Sequence, residues 1–172
     1  MLYVVRHGET DWNVRKRAQG HTDIPLNANG LGQAQVAADE LKEVQFDAVF
    51  SSPLKRARET CEIVINANLY GGEIVFDKRI MERSFGVFEG KSTDEVKWPE
   101  LWDIDADIAV ERGERVSDVI TRVYEFLNDI KEKYAGKNVL IVGHGGITSV
   151  IHYYFHGERM KFKNCEIRTY VI

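Results

Sequence analysis

Arg6 and His7, a basic pair at the end of a short apolar run, are the residues of this sequence best suited to chemistry. A neutral imidazole is a nucleophile near pH 7 and can carry a phosphoryl group covalently. The arginine guanidinium offers a planar fork of donors that matches the oxygens of a phosphate. Taken alone, the pair could also be a strand-end ion pair of Arg6 with Glu9. The interpretation as a phosphate site therefore depends on whether other residues suited to phosphate chemistry lie near this pair in the fold.

Three more residues of suitable type follow predicted turns or strand ends. Arg56 falls in the first turn of a predicted helix, where free N–H groups already favour an anion. Glu82 lies in an irregular loop, and His144 follows a buried strand as His7 does. Each has an ordinary alternative: Arg56 as a solvated surface arginine, Glu82 as a salt-bridge partner and His144 as a hydrogen-bonded structural histidine. Their joint occurrence favours a single phosphate pocket.

The elements that must position these residues alternate between strands and helices. Apolar, β-branched runs predict strands at 2–5, 48–51, 74–76, 138–142 and 165–172. Apolar residues at helical spacing predict helices beginning near 28, 53 and 147, and one from Val116 to Tyr134. This alternation predicts an α/β fold with three α/β/α layers and a mostly parallel central sheet. Ligands of such sheets collect beyond the carboxyl ends of the strands.

Capping and turn chemistry predict four local features. Asn27 would be the N-cap of a helix whose buried face includes Leu31. Ser52 would cap the next helix, with Pro53 at its first position. Residues 10–26 are predicted to be a long irregular loop over the end of the first strand, and residues 93–109 a short helical cap beside the pocket.

Length and composition are those of an ordinary globular chain. The 172 residues predict one domain, residues 1–172, acting as a monomer or homodimer. The net charge of −4 argues against nucleic acid as a partner. No apolar run reaches membrane-spanning length, so we expect no membrane partner and a cytoplasmic location. Cys61 and Cys165 are expected to be reduced packing residues.

Two patterns could suggest a metal site. Asp103, Asp105, Asp107 and Glu114 have the spacing of a calcium loop, but the glycine that its sharp turn needs is missing, and a solvated acidic face is expected instead. His152 and His156 are four residues apart on a predicted helix and could bind zinc. Glu158 lies close behind them, but without an H-E-x-x-H pattern the two histidines are better explained as partners of the helix dipole or surface residues, and no metal site is predicted.

The sequence resembles the histidine phosphatase superfamily, also called the phosphoglycerate mutase-like fold, and within it the small bacterial phosphatases. The matching segments are Arg6-His7-Gly8-Glu9-Thr10 with Asn13, Ser51-Ser52-Pro53-Leu54-Lys55-Arg56-Ala57 with Thr60, Glu82-Arg83-Ser84-Phe85-Gly86, and Gly143-His144-Gly145-Gly146. They occur in the order of the family and span most of the chain.

The resemblance implies a phosphohistidine mechanism. His7 would take the phosphoryl group, while Arg6, Arg56 and His144 neutralise the charge on its oxygens. Glu82 would protonate the leaving oxygen and later activate water. Asn13 and the backbone N–H of Gly145 would add hydrogen bonds to the same group. The mechanism needs no cofactor or metal ion.

The substrate is less closely defined by the resemblance. Gln19, Gly20, His21 and Thr22 match a substrate-facing loop, and Trp98 or Trp102 could form a pocket wall. Residues 91–112 are short and acidic, and an acidic wall would repel a second anionic group. We therefore expect a phosphatase for small phosphorylated metabolites, with a phosphoglycerate mutase and a catalytically silent phosphate-binding protein as alternatives.

Overall fold

A five-stranded sheet forms the centre of the computed structural model, which describes residues 1–96 and 98–172, with 98 and 99 described by backbone alone. The strands are β1 (Leu2–Arg6), β2 (Ala48–Ser51), β3 (Ile74–Phe76), β4 (Val139–Gly143) and β5 (Ile167–Tyr170), in the order β3-β2-β4-β1-β5. The pairs β3–β2, β2–β4 and β4–β1 are parallel, and β5 runs antiparallel to β1. The predicted, mostly parallel sheet is confirmed.

Helices cover both faces of this sheet, as the three-layer prediction requires. In the described part of the chain they are α1 (Asp11–Val14), α2 (Ala28–Leu41), α3 (Lys55–Asn68), α4 (Trp98–Leu101), α5 (Val116–Tyr134) and α6 (Gly145–His156), with 3₁₀ turns at Lys78–Ile80 and Gly86–Phe88. Alternate residues of β1 point to opposite faces. Leu2 and Val4 pack into the core with α5 and α6, whereas Val5 packs with α2 and α3.

The register of the three parallel strands brings their following residues side by side. Arg6 on β1 pairs with Gly143 on β4, and Ser51 on β2 pairs with Val142. The pairing continues past the strand ends, because the His7 N–H donates to Gly143 O at 2.9 Å and the Ser52 N–H donates to Val142 O at 3.0 Å. His7 and Ser52 therefore leave the sheet on either side of His144.

Several local predictions were wrong for identifiable reasons. Residues 10–26 are not wholly irregular, because Thr10 and Asn13 form a reciprocal capping box that begins α1. Helix α3 begins at Lys55 rather than Pro53, and its N-cap is Leu54. Asn27 does cap α2, but Leu31 is 47% exposed, because Gly30 and Ala34 occupy the buried face instead.

The predicted cap between residues 93 and 109 contains only one helical turn, α4, followed by turns and extended chain. Val96, Leu101 and Val110 bury their side chains against Phe85 and Ala18 in a small core separate from the two faces of the sheet. The predicted role of Trp98 as a pocket wall lies outside the described side chains. None of the helices described has both the length and the apolarity needed to cross a bilayer.

Candidate active site

His7 and His144 meet at the carboxyl ends of β1 and β4, with ring centroids 5.2 Å apart. Gly8, which follows His7, does not have a positive φ, so glycine is not required here by the backbone conformation. A Cβ at Gly8 would lie 2.5 Å from the carbonyl oxygen of Gly30, so glycine here lets helix α2 pack against the loop. The Gly8 N–H donates to Thr60 Oγ1 on α3, which fixes the same turn from the other side.

The His7 ring is held in the form that a nucleophile requires. Its Nδ1 lies 2.6 Å from the carbonyl oxygen of Gly8. Since a carbonyl can only accept, Nδ1 carries the proton and Nε2 presents its lone pair. Burial, together with the charges of Arg56 and Arg6, holds the pKa of His7 well below its ordinary value of 6.5. The imidazole is therefore neutral at physiological pH.

His144 is fully buried behind the cavity surface and is anchored by Ser52. Its Nε2 lies 2.7 Å from Ser52 Oγ, which also accepts the Leu54 N–H at 3.3 Å. Ser52 therefore orients a histidine rather than capping α3. The other ring nitrogen, Nδ1, is buried without a hydrogen-bond partner. Burial, and secondarily the Arg56 charge, lowers the pKa of His144 well below its ordinary value, so the site contains two neutral imidazoles.

Two guanidinium groups flank the histidines and are anchored by backbone carbonyls. Arg56, which is fully buried, donates to Gly20 O at 2.7 Å and to Thr22 O at 3.1 Å. Arg6 donates to Phe162 O at 2.5 Å. In each guanidinium the Nε–H is buried without a partner. Burial lowers the pKa of Arg56 to about 10, which still leaves it charged at neutral pH.

The carboxylate of Glu82 lies over the N-terminus of α6. Its Oε2 accepts the Gly146 N–H at 3.1 Å and its Oε1 accepts the N–H of Arg83 at 2.9 Å. The ring of Trp102 lies against the same turn, and a Cβ at Gly146 would collide with both Trp102 and Glu82. Glycine at this position thus lets the acid and the indole approach the helix N-terminus.

Except for His144, which is fully buried, these groups line one cavity of about 730 Å³, within the size range of small-molecule sites. Of the predicted site residues, its lining includes Arg6, His7, Asn13, Gln19, Gly20, Arg56, Glu82 and Gly145. Asn13 uses its Oδ1 to accept the Thr10 N–H and keeps its amide nitrogen free of partners among the described residues. Trp102 also lines the cavity. We call Arg6, His7, Arg56, His144 and Gly145 the inner pocket.

His21 and Thr22 do not line the cavity, contrary to the prediction. The His21 ring Nε2 lies 2.8 Å from Glu82 O and 3.7 Å from Glu114. Thr22 donates to Glu89 from both its N–H and its hydroxyl, and its carbonyl accepts from Arg56. His21 thus contacts the backbone of Glu82, and Thr22 helps to anchor the Arg56 guanidinium. Gly20, which precedes them, lines the cavity and has φ +54°, a backbone conformation that favours glycine.

The predicted acidic wall was also wrong. From residues 91–112, the described cavity lining includes Thr93 and Trp102 but no carboxylate. Asp103 accepts the N–H groups of Asp105 and Ala106, and Asp107 binds Ser117. Glu114 is not a solvated acid either, because it forms an ion pair with Arg122 at 2.8 Å.

Five cations in the cavity lining were missed from the sequence, and we call them the outer wall: Lys16, Arg17, Arg159, Lys161 and Lys163. The first two follow α1, and the other three follow α6. The alternation of basic residues at 159, 161 and 163 is the one signal that could have drawn attention to this segment.

The histidines considered for zinc have other contacts. His152 Nδ1 lies 3.0 Å from the hydroxyl of Tyr170, and its ring packs against that of His156. Across the described residues, no three His, Cys, Asp or Glu side chains are grouped so as to hold a metal ion. Cys61 and Cys165 are free thiols, and burial raises the pKa of each to about 12.

Comparison with known proteins identifies the family. The family model for the histidine phosphatase superfamily (branch 1) matches residues 2–170. The probable phosphoglycerate mutase GpmB of Escherichia coli is 34% identical over 96% of this chain and 82% of its own length. The structure resembles YhfR of Bacillus stearothermophilus, at 36% identity and a TM-score of 0.80, with 93% of this chain and 81% of that chain covered.

A second solved relative is the Entamoeba histolytica phosphoserine phosphatase in complex with 3-phosphoglyceric acid. It has 26% identity and a TM-score of 0.83, over 96% of this chain and 87% of that chain. The relatives thus include proteins named as phosphatases and as mutases. With a family match over nearly its whole length, the chain belongs to the histidine phosphatase superfamily.

Proposed function

We propose that this protein is a metal-independent phosphomonoesterase that transfers the phosphoryl group of a small metabolite to His7 and then to water. The observation that carries the proposal is a set of buried donors around one neutral nucleophile. Arg6 and Arg56 each have an unpartnered Nε–H, and neither forms an ion pair with a carboxylate among the described residues. Buried donors of this kind are costly unless a ligand satisfies them, and a phosphate matches their charge and geometry.

In the first step, Nε2 of His7 attacks phosphorus and the bond from phosphorus to the ester oxygen breaks. The charge on the phosphoryl oxygens is stabilised by the two guanidinium groups, by the free N–H of Gly145 at the N-terminus of α6, and by His144. His144 Nδ1 is the unpartnered ring nitrogen, and as an N–H it would donate to the phosphoryl group. These cations and dipoles supply the stabilisation that a metal ion gives in other phosphoryl-transfer sites.

Glu82 supplies the proton for the leaving group. As a carboxylic acid it would protonate the departing ester oxygen, so that an alcohol leaves rather than an alkoxide. As a carboxylate it would then take a proton from the water that attacks the phosphohistidine, which breaks the Nε2–phosphorus bond and releases inorganic phosphate. Its two backbone N–H contacts hold the carboxyl group beside the inner pocket throughout.

The test is phosphate release from a panel of phosphomonoesters in the presence of excess chelator, by the wild type and by His7→Ala. We expect hydrolysis by the wild type and only background release by the variant, which lacks the nucleophile. His156→Ala, at the exposed end of α6, is the matched control and should retain full activity. Substantial turnover by folded His7→Ala would rule out the phosphohistidine mechanism.

A phosphoglycerate mutase is the second candidate, because the E. coli relative carries that name and the outer wall is cationic. A mutase returns the phosphoryl group to a bound product, so it needs a bisphosphate primer and a slowly hydrolysed phosphohistidine. Mutase activity that depends on such a primer and exceeds phosphate release would favour this candidate. A silent phosphate-binding protein would have neither activity, and the presence of His7 and Glu82 together argues against it.

A further inference from the structure

We propose that the outer wall is a second anion subsite, so that the preferred substrates carry a carboxylate or a further phosphate beyond the reacting phosphoryl group. This inference rests on the proposed function and defines the substrate class for the same cavity. It also reverses the expectation that an acidic wall excludes a second anion.

The first observation is the separation of charge. The whole chain has a net charge of −4, yet the cavity lining is strongly cationic. Its described charged residues are the cations Arg6, Lys16, Arg17, Arg56, Arg159, Lys161 and Lys163, and a single carboxylate, Glu82. Two of these seven cations belong to the inner pocket, where one phosphoryl group would satisfy them. Five remain, which is more positive charge than a simple phosphomonoester can use.

The second observation is that these five cations form no close ion pairs in the described part of the chain, although Lys163 interacts electrostatically with Glu166, and Arg159 with Glu82, over a longer distance. Among the described side chains, none of the outer-wall residues lies within 4.0 Å of a carboxylate oxygen. Elsewhere on the surface the arginines are commonly paired, as Arg79 is with Asp77 and Asp129. Like charges that face one cavity repel each other, and their field inside it attracts an anion.

Arg159 is the fixed member of the outer wall. Its Nη1 donates to Trp102 O at 2.7 Å, and its Nε donates to Ser149 Oγ at 3.2 Å. The guanidinium also lies over the Trp102 ring, 4.8 Å from the centroid. These contacts leave Nη2 without a hydrogen-bond partner among the described residues. An arginine held in this way loses little side-chain entropy when it binds an anion.

The size of the cavity favours a small molecule as the occupant. A volume of about 730 Å³ is larger than a phosphate needs and lies within the range of small-molecule sites, so the cavity has room for a metabolite that carries a second anionic group. The cations converge on this one cavity, while the chain as a whole is acidic, so an extended polyanion gains no broad cationic surface.

The test compares binding of two compounds that share a carbon skeleton, glycerol 3-phosphate and 3-phosphoglycerate, which differ in a distal hydroxymethyl or carboxylate group. Calorimetry with His7→Ala measures binding without turnover. We expect 3-phosphoglycerate to bind on the order of tenfold more tightly at low ionic strength, because several unpaired cations face its carboxylate. Propane-1,3-diol bisphosphate, as a third compound, ranks a distal phosphate against the carboxylate.

The variant that tests the wall is Lys161→Ala/Lys163→Ala in the His7→Ala background, with Lys133→Ala as the matched control on the exposed surface of α5. The preference for the distal anion should fall several-fold in the first and stay unchanged in the second. Equal binding of all three compounds, no measurable binding, or a preference that survives the double substitution would each overturn the subsite. Phosphate release by the enzyme with His7 present reports separately on the proposed function.

Discussion

The inner pocket and the outer wall lie in one cavity but are built in different ways. Inner-pocket residues adjoin strand ends or the first turns of helices. Backbone carbonyls anchor the side chains of Arg6, His7 and Arg56, and the Ser52 hydroxyl anchors His144. Outer-wall residues lie in loops after α1 and α6, and four of them are exposed: Lys16, Arg17, Lys161 and Lys163. The inner groups are therefore preorganised by their own hydrogen bonds, whereas most of the outer groups provide charge on flexible stems.

This difference predicts that the inner pocket and the outer wall control different steps of the reaction. A preorganised donor set acts on the transition state and should control the chemical step for every substrate. Exposed lysines should act through electrostatic attraction, which salt screens and which distinguishes one substrate from another. Substitutions in the two regions should thus change different measured quantities.

The largest effect in this comparison is expected from Arg56→Lys. A lysine ammonium carries all its donors on one nitrogen. It cannot reach Gly20 O, Thr22 O and the phosphoryl group at the same time, as the wider guanidinium can. We expect kcat/KM to fall by about 10²–10³-fold, the scale of removing one preorganised transition-state donor. The loss should be equal for substrates with and without a distal anion. Steady-state kinetics with both substrate types is the measurement.

Arg58→Lys is the matched control for this prediction, because Arg58 lies on the same helix, is exposed and pairs with Glu62. It should leave kcat/KM unchanged. If Arg56→Lys instead altered the preference between the two substrate types, the inner pocket and outer wall would act as one unit and the predicted difference between them would be wrong.

A smaller and more selective effect is expected from Glu82→Gln. The amide cannot protonate a leaving oxygen, so alkyl phosphates should be hydrolysed about 10²-fold more slowly. For p-nitrophenyl phosphate, whose leaving group departs without a proton, the loss should stay below about tenfold. Rates across a series of leaving groups measure this split. Glu111→Gln, on the exposed surface, serves as the control, and equal losses for all leaving groups would remove Glu82 from the role of acid.

Much of the inner pocket could be predicted from the sequence, because each residue is close in the chain to an element boundary. His7 and His144 directly follow apolar strands, and a parallel sheet brings the carboxyl ends of its strands to one edge. Arg56 was placed in the first turn of α3 even though the cap was misassigned. The misassignment arose because Ser52 has a tertiary partner, His144, which local capping patterns do not reveal.

The outer wall could not be predicted in this way, because its cations come from loops distant in sequence. For the segment between those loops, the composition also suggested the wrong charge for the cavity wall. Residues 91–112 are acidic, but Asp103 and Asp107 bind nearby backbone and hydroxyl donors and do not line the cavity. Asp is well suited to such local hydrogen bonds. The charge of a segment therefore did not predict the charge of the wall to which it contributes.

The last prediction concerns the buried histidines and is the smallest in magnitude. The pKa values of His7 and His144 are lowered in the folded protein, while in the unfolded chain both titrate near 6.5. As pH falls below about 6.5, the two histidines bind protons in the unfolded chain but stay unprotonated in the folded inner pocket. The free energy of unfolding should then decrease by up to about 1.4 kcal/mol per pH unit for each histidine.

Urea unfolding in phosphate-free buffer between pH 7.5 and 5 measures this slope. Carboxylates with lowered pKa values, such as Glu114, also lose stabilisation in acid, but only near and below their ordinary pKa of 4.5. His144→Gln should reduce the slope, because it removes one of the two buried histidines whose pKa values are lowered in the folded protein. A flat profile across this range would mean that the inner pocket accepts protons, and the neutral imidazole that His7 needs for attack would then be absent.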